Sequence, residues 1–161
     1  LNENLTIIQG DVLDQDKVDQ IISKSEIVLN SLGGSSDVCS KGTEKIIFSM
    51  KQFNVKRIIT CSSLGVGKSY DDCSCFTKLF IYLIISKPIA DKNIQEDLLF
   101  NSGLDFTIVK PPRLINGASI GTFKTEKVSG GSIPRCDVAT FMLRQIYSDD
   151  YLGKSVSVAS S

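Results

Sequence analysis

The chain contains no histidine. That absence removes Ser-His-Asp and Cys-His nucleophilic catalysis, and most zinc chemistry, in one step. There is no excess charge either, since 18 basic residues face 18 acidic ones. A dedicated binder of nucleic acid or of an anionic membrane needs a basic surface to engage phosphates, so neither partner is expected. No apolar run is long enough to span a bilayer, which takes about 20 residues. The most apolar stretch, Leu79-Phe80-Ile81-Tyr82-Leu83-Ile84-Ile85, suits a buried or partner-facing helix. No signal peptide is visible. The chain starts at Leu1, directly before an apolar run, as a piece of a longer protein would. Five cysteines (Cys39, Cys61, Cys73, Cys75 and Cys136) cannot all pair and keep no framework spacing. They read as the reduced thiols of a cytoplasmic protein. Cys73-Ser74-Cys75 could be half of a metal site, but it lacks a second half, and no metal is expected.

What is present repeats one grammar. Arg57-Ile58-Ile59-Thr60-Cys61 is a short β-branched run that ends in Ser62-Ser63. Leu5-Thr6-Ile7-Ile8-Gln9 runs into Gly10-Asp11, Glu26-Ile27-Val28-Leu29-Asn30 into Ser31-Leu32-Gly33, and Phe106-Thr107-Ile108-Val109 into Lys110-Pro111-Pro112-Arg113. Each reads as a buried strand with a loop mouth at its carboxyl end. Helical spacing is predicted between them: from Asp14 through about Ser23, over residues 38–53, over 79–85 and 89–101 with Lys87-Pro88 as a break, and over 137–147. Residues 31–36 form a Gly/Ser-rich loop, residues 62–75 a long polar one. Residues 111–134 read as loop with one short strand near 122–125, and 155–158 as a last strand. Alternation of this kind predicts an α/β fold: one domain over 1–161, with a doubly wound parallel sheet joined by right-handed crossovers.

In such a sheet, ligands bind at the carboxyl ends of the strands. Gly10 would let a ligand approach the backbone, and Asp11 could accept a hydrogen bond from an adenine amino group. Ser31, Leu32 and Gly33 would line the next position. Ser62 and Ser63 could donate to a substrate oxygen, though neither has a base to make it a nucleophile. Each mouth taken alone is as well explained by turn formation. Lys92 lies on a predicted helix between the serine strand and the next core strand, where it is as readily a solvated lysine as a ribose ligand. Arg113 sits beside a mouth and could meet a phosphate or carboxylate. Gly65-Val66-Gly67-Lys68-Ser69 ends like a phosphate-binding loop, but Ser62 stands where that motif needs its first glycine.

Several of these runs resemble the atypical short-chain dehydrogenase/reductases of the NmrA-like, NAD(P)H-binding type. They are Gln9-Gly10-Asp11-Val12, Gly42-Thr43-Glu44-Lys45, residues 55–63, the run Ser102-Gly103-Leu104-Asp105-Phe106-Thr107-Ile108-Val109-Lys110-Pro111, and Arg135-Cys136-Asp137-Val138-Ala139. The flavin reductase/biliverdin-IXβ reductase proteins are similar too. The resemblance implies a Rossmann-like fold that binds NADP or NAD. It implies hydride transfer to a flavin, quinone or tetrapyrrole-like acceptor, or cofactor sensing without turnover by a regulator or assembly factor. It places Gly10, Asp11 and Val12 at the adenine, and Ser31, Leu32 and Gly33 along the middle of the cofactor. Cys61, Ser62 and Ser63 would flank the nicotinamide, and Pro111, Pro112, Arg113 and Leu114 would close over it. Ser63 and Lys92 would be the catalytic pair. Two departures stand out. The first two strands and their Gly-rich turn have no counterpart here. The Tyr-x-x-x-Lys pattern, counted back from Lys92, meets Pro88.

Overall fold

Asp14 starts the first helix. Its carboxylate accepts the N–H groups of Asp16 (3.1 Å) and Lys17 (3.4 Å), which have no intrahelical partner. The computed structural model describes residues 3–34 and 37–161, without the side chains of Phe80 and Ile84. In chain order it contains α1 (Gln15–Ile22), β1 (Ile27–Asn30), α2 (Val38–Gln52) and β2 (Arg57–Cys61). A 3-10 turn (Gly67–Tyr70) leads to α3 (Cys75–Ile84), α4 (Ser86–Phe100) and β3 (Asp105–Lys110). Then come β4 (Arg113–Ile115), β5 (Phe123–Lys124), β6 (Ser132–Pro134), α5 (Arg135–Arg144), β7 (Lys154–Ser157) and β8 (Ala159–Ser160).

The main sheet is parallel throughout, in the order β1-β2-β3-β7. Parallel neighbours need crossovers, and α2, the α3–α4 pair and α5 supply them. Alternation along β2 and β3 decides which side chain meets which helix. Ile58, Phe106 and Ile108 face one way and pack with Val18 and Ile22 of α1, Ile46 and Met50 of α2, and Leu99 of α4. Ile59, Val109 and Val156 face the other way and meet Val138, Phe141 and Met142 of α5. Each such side chain contributes about 1.5–3 kcal/mol on burial. A third cluster, with Leu64, Val66, Ile81 and Ile89, seats α3 and the loop after β2.

Four expectations need correction. Residues 5–9 are not a strand, although their composition matches β2. Leu5 and Ile7 are 56% and 69% exposed, and β1 is the edge of the sheet. A strand needs a neighbour for its N–H and C=O groups, and among the described residues none lies there. Pro88 does not separate two helices, because it occupies the first turn of α4. A missing N–H costs nothing in that turn, and the break falls at Ile85 instead. The stretch after Pro111 is mainly loop, as expected, but it holds three short strands and not one: besides β5, inside the expected 122–125, β4 and β6 pair in a small parallel sheet of their own, with Leu114 opposite Ile133. The helix predicted over 79–85 starts earlier, at Cys75, capped by the Ser74 hydroxyl accepting the Thr77 N–H (3.2 Å). Of the loop 31–36, Ser35 and Ser36 lie outside the described residues.

Candidate active site at the carboxyl ends of β2 and β3

The ladder continues one residue past β2, because the Ser62 N–H donates to the Val109 carbonyl (2.8 Å). Alternation therefore turns Ser62 to the side of Ile58 and Lys110, toward α4, and turns Ser63 away from it. A cavity of about 510 Å³ opens at this point. Ser62, Ser63, Pro111, Pro112, Arg113 and Leu114 line the strand side, together with Lys92. Phe76, Ile81 and Ile85 supply an apolar wall from α3 and its end. The Ser63 hydroxyl donates to the Leu64 carbonyl (3.2 Å). Arg113, on β4, is exposed at the mouth.

Lys92 is not a solvated lysine. Its ammonium donates to the carbonyls of Leu32 (3.2 Å) and Cys61 (3.0 Å), so it bridges the mouths of β1 and β2. Burial pushes the Cys61 thiol up, and the Lys92 charge opposes this in part. Its neighbour Asp91 is buried and faces α2, where it accepts the N–H groups of Cys39 (2.8 Å) and Ser40 (3.1 Å) and the Ser40 hydroxyl. The N-terminus of α2 is thereby satisfied from within, and it is not an anion site.

Seven of the residues expected at the site come together in this cavity: Ser62, Ser63, Lys92, Pro111, Pro112, Arg113 and Leu114. Cys61 and Leu32 join them through the carbonyls on Lys92. The others lie elsewhere. Gly10 and Asp11 are exposed, and the Asp11 carboxylate accepts the Leu13 N–H (2.9 Å). Val12 is half-buried and, with the Leu32 side chain, packs on Gly42 of α2. A Cβ at Gly42 would come within 2.7 Å of Leu32 and 2.9 Å of Val12. The Ser31 hydroxyl faces the Met142 sulfur at 4.0 Å. Gly33 is exposed, with open space where a Cβ would stand. The Gly65–Ser69 run is no phosphate cradle. Ser69 turns inward, accepting the Gly65 N–H (3.0 Å) and donating to the Val66 carbonyl (2.7 Å), while the Gly67 N–H goes to Asn93 (2.8 Å).

Sequence reasoning missed Glu96 and the burial of Lys110. Glu96 on α4 and Lys110 at the end of β3 form a buried ion pair at 2.8 Å, and Glu96 also accepts the Ser62 hydroxyl at 2.5 Å. A lysine that ends a run as apolar as Phe106-Thr107-Ile108-Val109 was the available signal, because a charge at that depth needs a partner.

The donors present fit the nicotinamide half of a dinucleotide. Two hydroxyls and an ammonium suit a ribose and a carboxamide, and the α3 side of the cavity gives the ring an apolar wall. Among the described residues, no Gly-rich turn opens a helix to receive the pyrophosphate.

Solved structures share the fold. A short-chain dehydrogenase/reductase (wide type) from Veillonella parvula, solved in complex with NADP, is 17% identical. It superposes with a TM-score of 0.85 over 99% of this chain and 74% of its own. ChuY, an anaerobillin reductase from Escherichia coli O157:H7, is 23% identical, with a TM-score of 0.79 over 94% and 73%. The oxidoreductase ylbE from Lactococcus lactis is 19% identical, with a TM-score of 0.83 over 99% and 73%. At these identities the likeness is one of fold. The assignment comes from the sequence itself, which matches the NAD(P)H-binding family over residues 1–149. With a parallel sheet, a cavity at its carboxyl ends and that match, the chain belongs to the NAD(P)H-binding family, and its cofactor is NAD(P).

Proposed function

We propose that this chain is an NAD(P)H-dependent reductase of the atypical short-chain type, acting on a flavin, quinone or tetrapyrrole-like acceptor. The observation that carries the reading is the cavity itself: hydroxyls and an ammonium on one side, apolar side chains on the other, at the carboxyl ends of β2 and β3. Bound there, the cofactor supplies a hydride. The chain's own residues do the rest. Lys92 holds the mouths of β1 and β2 together and faces the cavity. Pro111 and Pro112 form a stiff wall, and Phe76, Ile81 and Ile85 keep water from the ring face. Ser63 presents its hydroxyl to the acceptor oxygen on which charge develops. Arg113 at the mouth suits a carboxylate or phosphate on the acceptor. The site residues at the mouth of β1 and around Gly10-Asp11-Val12 take the rest of the cofactor. The cysteines are all free in the structure, which fits a cytoplasmic setting, and no described helix is long and apolar enough to cross a membrane.

Calorimetric titration with NADPH, followed by NADPH oxidation across a panel of flavin, quinone and biliverdin acceptors, tests the reading. Binding with turnover on at least one acceptor is expected. Ser63→Ala should lower turnover far more than it weakens NADPH binding. An absence of binding at millimolar NADPH would end the proposal. One observation favours a second reading, a cofactor-sensing regulator or assembly factor on the same fold. Pro88 stands where the short-chain reductases carry their proton-donating tyrosine. Binding without oxidation of any acceptor would select it.

A further inference from the structure

Hydride transfer leaves an electron pair on the acceptor, and a neutral product needs one proton. Pro88 cannot give it. The Ser63 hydroxyl bonds the Leu64 carbonyl, a group with no proton to pass on. Ser62 stands differently. Its Oγ lies 2.5 Å from Glu96 Oε1, and Glu96 Oε2 lies 2.8 Å from Lys110 Nζ. The two charged side chains are 5% and 3% exposed. Lys110 also donates to the Val66 carbonyl (2.8 Å). A buried ion pair is seldom more stabilising than apolar residues of the same volume, so stability alone is a weak reason for a charged pair here. The pair also has two ends. Ser62 lines the cavity. Gly67 covers the other end: a Cβ there would sit 3.4 Å from Glu96 Oε2 and 3.7 Å from Lys110 Nζ, and Gly67 is exposed.

We propose that Ser62 is the proton donor of the reaction, with Glu96 and Lys110 as positioning residues that resupply it through a buried relay from solvent at Gly67. The inference rests on the reductase reading above. The balance is one proton per hydride. The O–H bond of Ser62 breaks toward the electron-rich oxygen or nitrogen of the reduced acceptor. A new O–H bond forms on Ser62 as its oxygen takes a proton through Glu96, and the N–H bond that breaks is on the Lys110 ammonium, which Glu96 also touches. The pair recovers its proton from water at Gly67.

The experiment compares wild type with Ser62→Ala, Ser62→Thr, Glu96→Gln and the double variant Glu96→Leu/Lys110→Met. Each is checked by thermal unfolding and by NADPH calorimetry before kinetics. The double variant replaces the pair by apolar groups, so it remains folded if either single change does not. The expected result is a fall in kcat of about 100-fold in Ser62→Ala and in the double variant, the scale of general acid catalysis. NADPH affinity should stay within about twofold, and Ser62→Thr should restore turnover. A solvent deuterium effect on kcat in wild type, and a pH profile that changes shape in Glu96→Gln, are also expected. A merely structural pin would move neither. A folded, NADPH-binding double variant with wild-type kcat, pH profile and solvent isotope effect overturns the relay and leaves the reductase reading intact. A wild type that oxidises no NADPH with any acceptor overturns both.

Discussion

Asp91→Ala should be among the more damaging substitutions that leave the cavity lining untouched. The carboxylate reaches across from α4 and accepts the N–H groups of Cys39 and Ser40 in the first turn of α2. Those residues are 2% and 6% exposed, so water is a poor replacement. Each buried N–H left without a partner costs about 1–3 kcal/mol. Losing a helix cap costs about 0.5–2 kcal/mol, and the two figures describe overlapping effects. A total near 3 kcal/mol follows for Asp91→Ala, or about 6–12 °C in Tm at this chain length. Asp91→Asn keeps one acceptor oxygen for one of the two N–H groups and loses the charge at the positive helix end. Its cost should be nearer 1 kcal/mol. Urea unfolding followed by circular dichroism measures both. A double-mutant cycle with Ser40→Ala should show a coupling of about 0.5–3 kcal/mol, because the two side chains share a bond. Equal losses in the Ala and Asn variants, or an Ala variant less than about 1 kcal/mol down, would refute the cap.

Two other outcomes follow from the protonation chemistry of the fold. The Ser119 hydroxyl, then the N–H groups of Ile120 and Gly121, hold the Asp137 carboxyl below its ordinary value. Its contribution is therefore present above the usual carboxylate range and is lost as pH falls through the depressed value. Hydrogen exchange at the Ile120 amide should accelerate on acidification, and Asp137→Asn should abolish that dependence; an amide indifferent to pH beyond the intrinsic rate would contradict it. Thiol labelling of the native protein should be fast at Cys75 and Cys136, which are exposed. It should be slow at Cys39, Cys61 and Cys73, whose thiols burial pushes up. Rapid reaction of Cys61 would mean that the α5 side of β2 is open to water.

How much of this was legible in the residues depends on how local the deciding interaction is. The strand at Ile58-Ile59, the Asp14 cap and the α/β alternation are written in neighbouring residues, and they were readable. Residues 5–9 carry the same pattern as β2, yet a strand exists only when another lies beside it, and that partner is not a property of the run itself. Pro88 misled because the cost of proline depends on its turn within the helix. The cavity lining from Ser62 to Leu114 was legible because strand ends in a parallel sheet converge. The Glu96–Lys110 pair was not, because helix periodicity does not say which charged residue on α4 will point inward. Choosing between the serines needed the ladder: Ser62 continues the alternation of β2 toward α4, and only then does its carboxylate partner come into view.

Lys92 has a consequence for the energetics of recognition. A ligand that spans both mouths has to cross the gap between the carboxyl ends of β1 and β2. Here one side chain already ties the carbonyls of Leu32 and Cys61. A ligand that crosses this gap meets a preorganised crevice and does not have to draw its walls together. The entropy lost in closing the crevice is met during folding and not on binding, and affinity at such a site depends on fit more than on buried area.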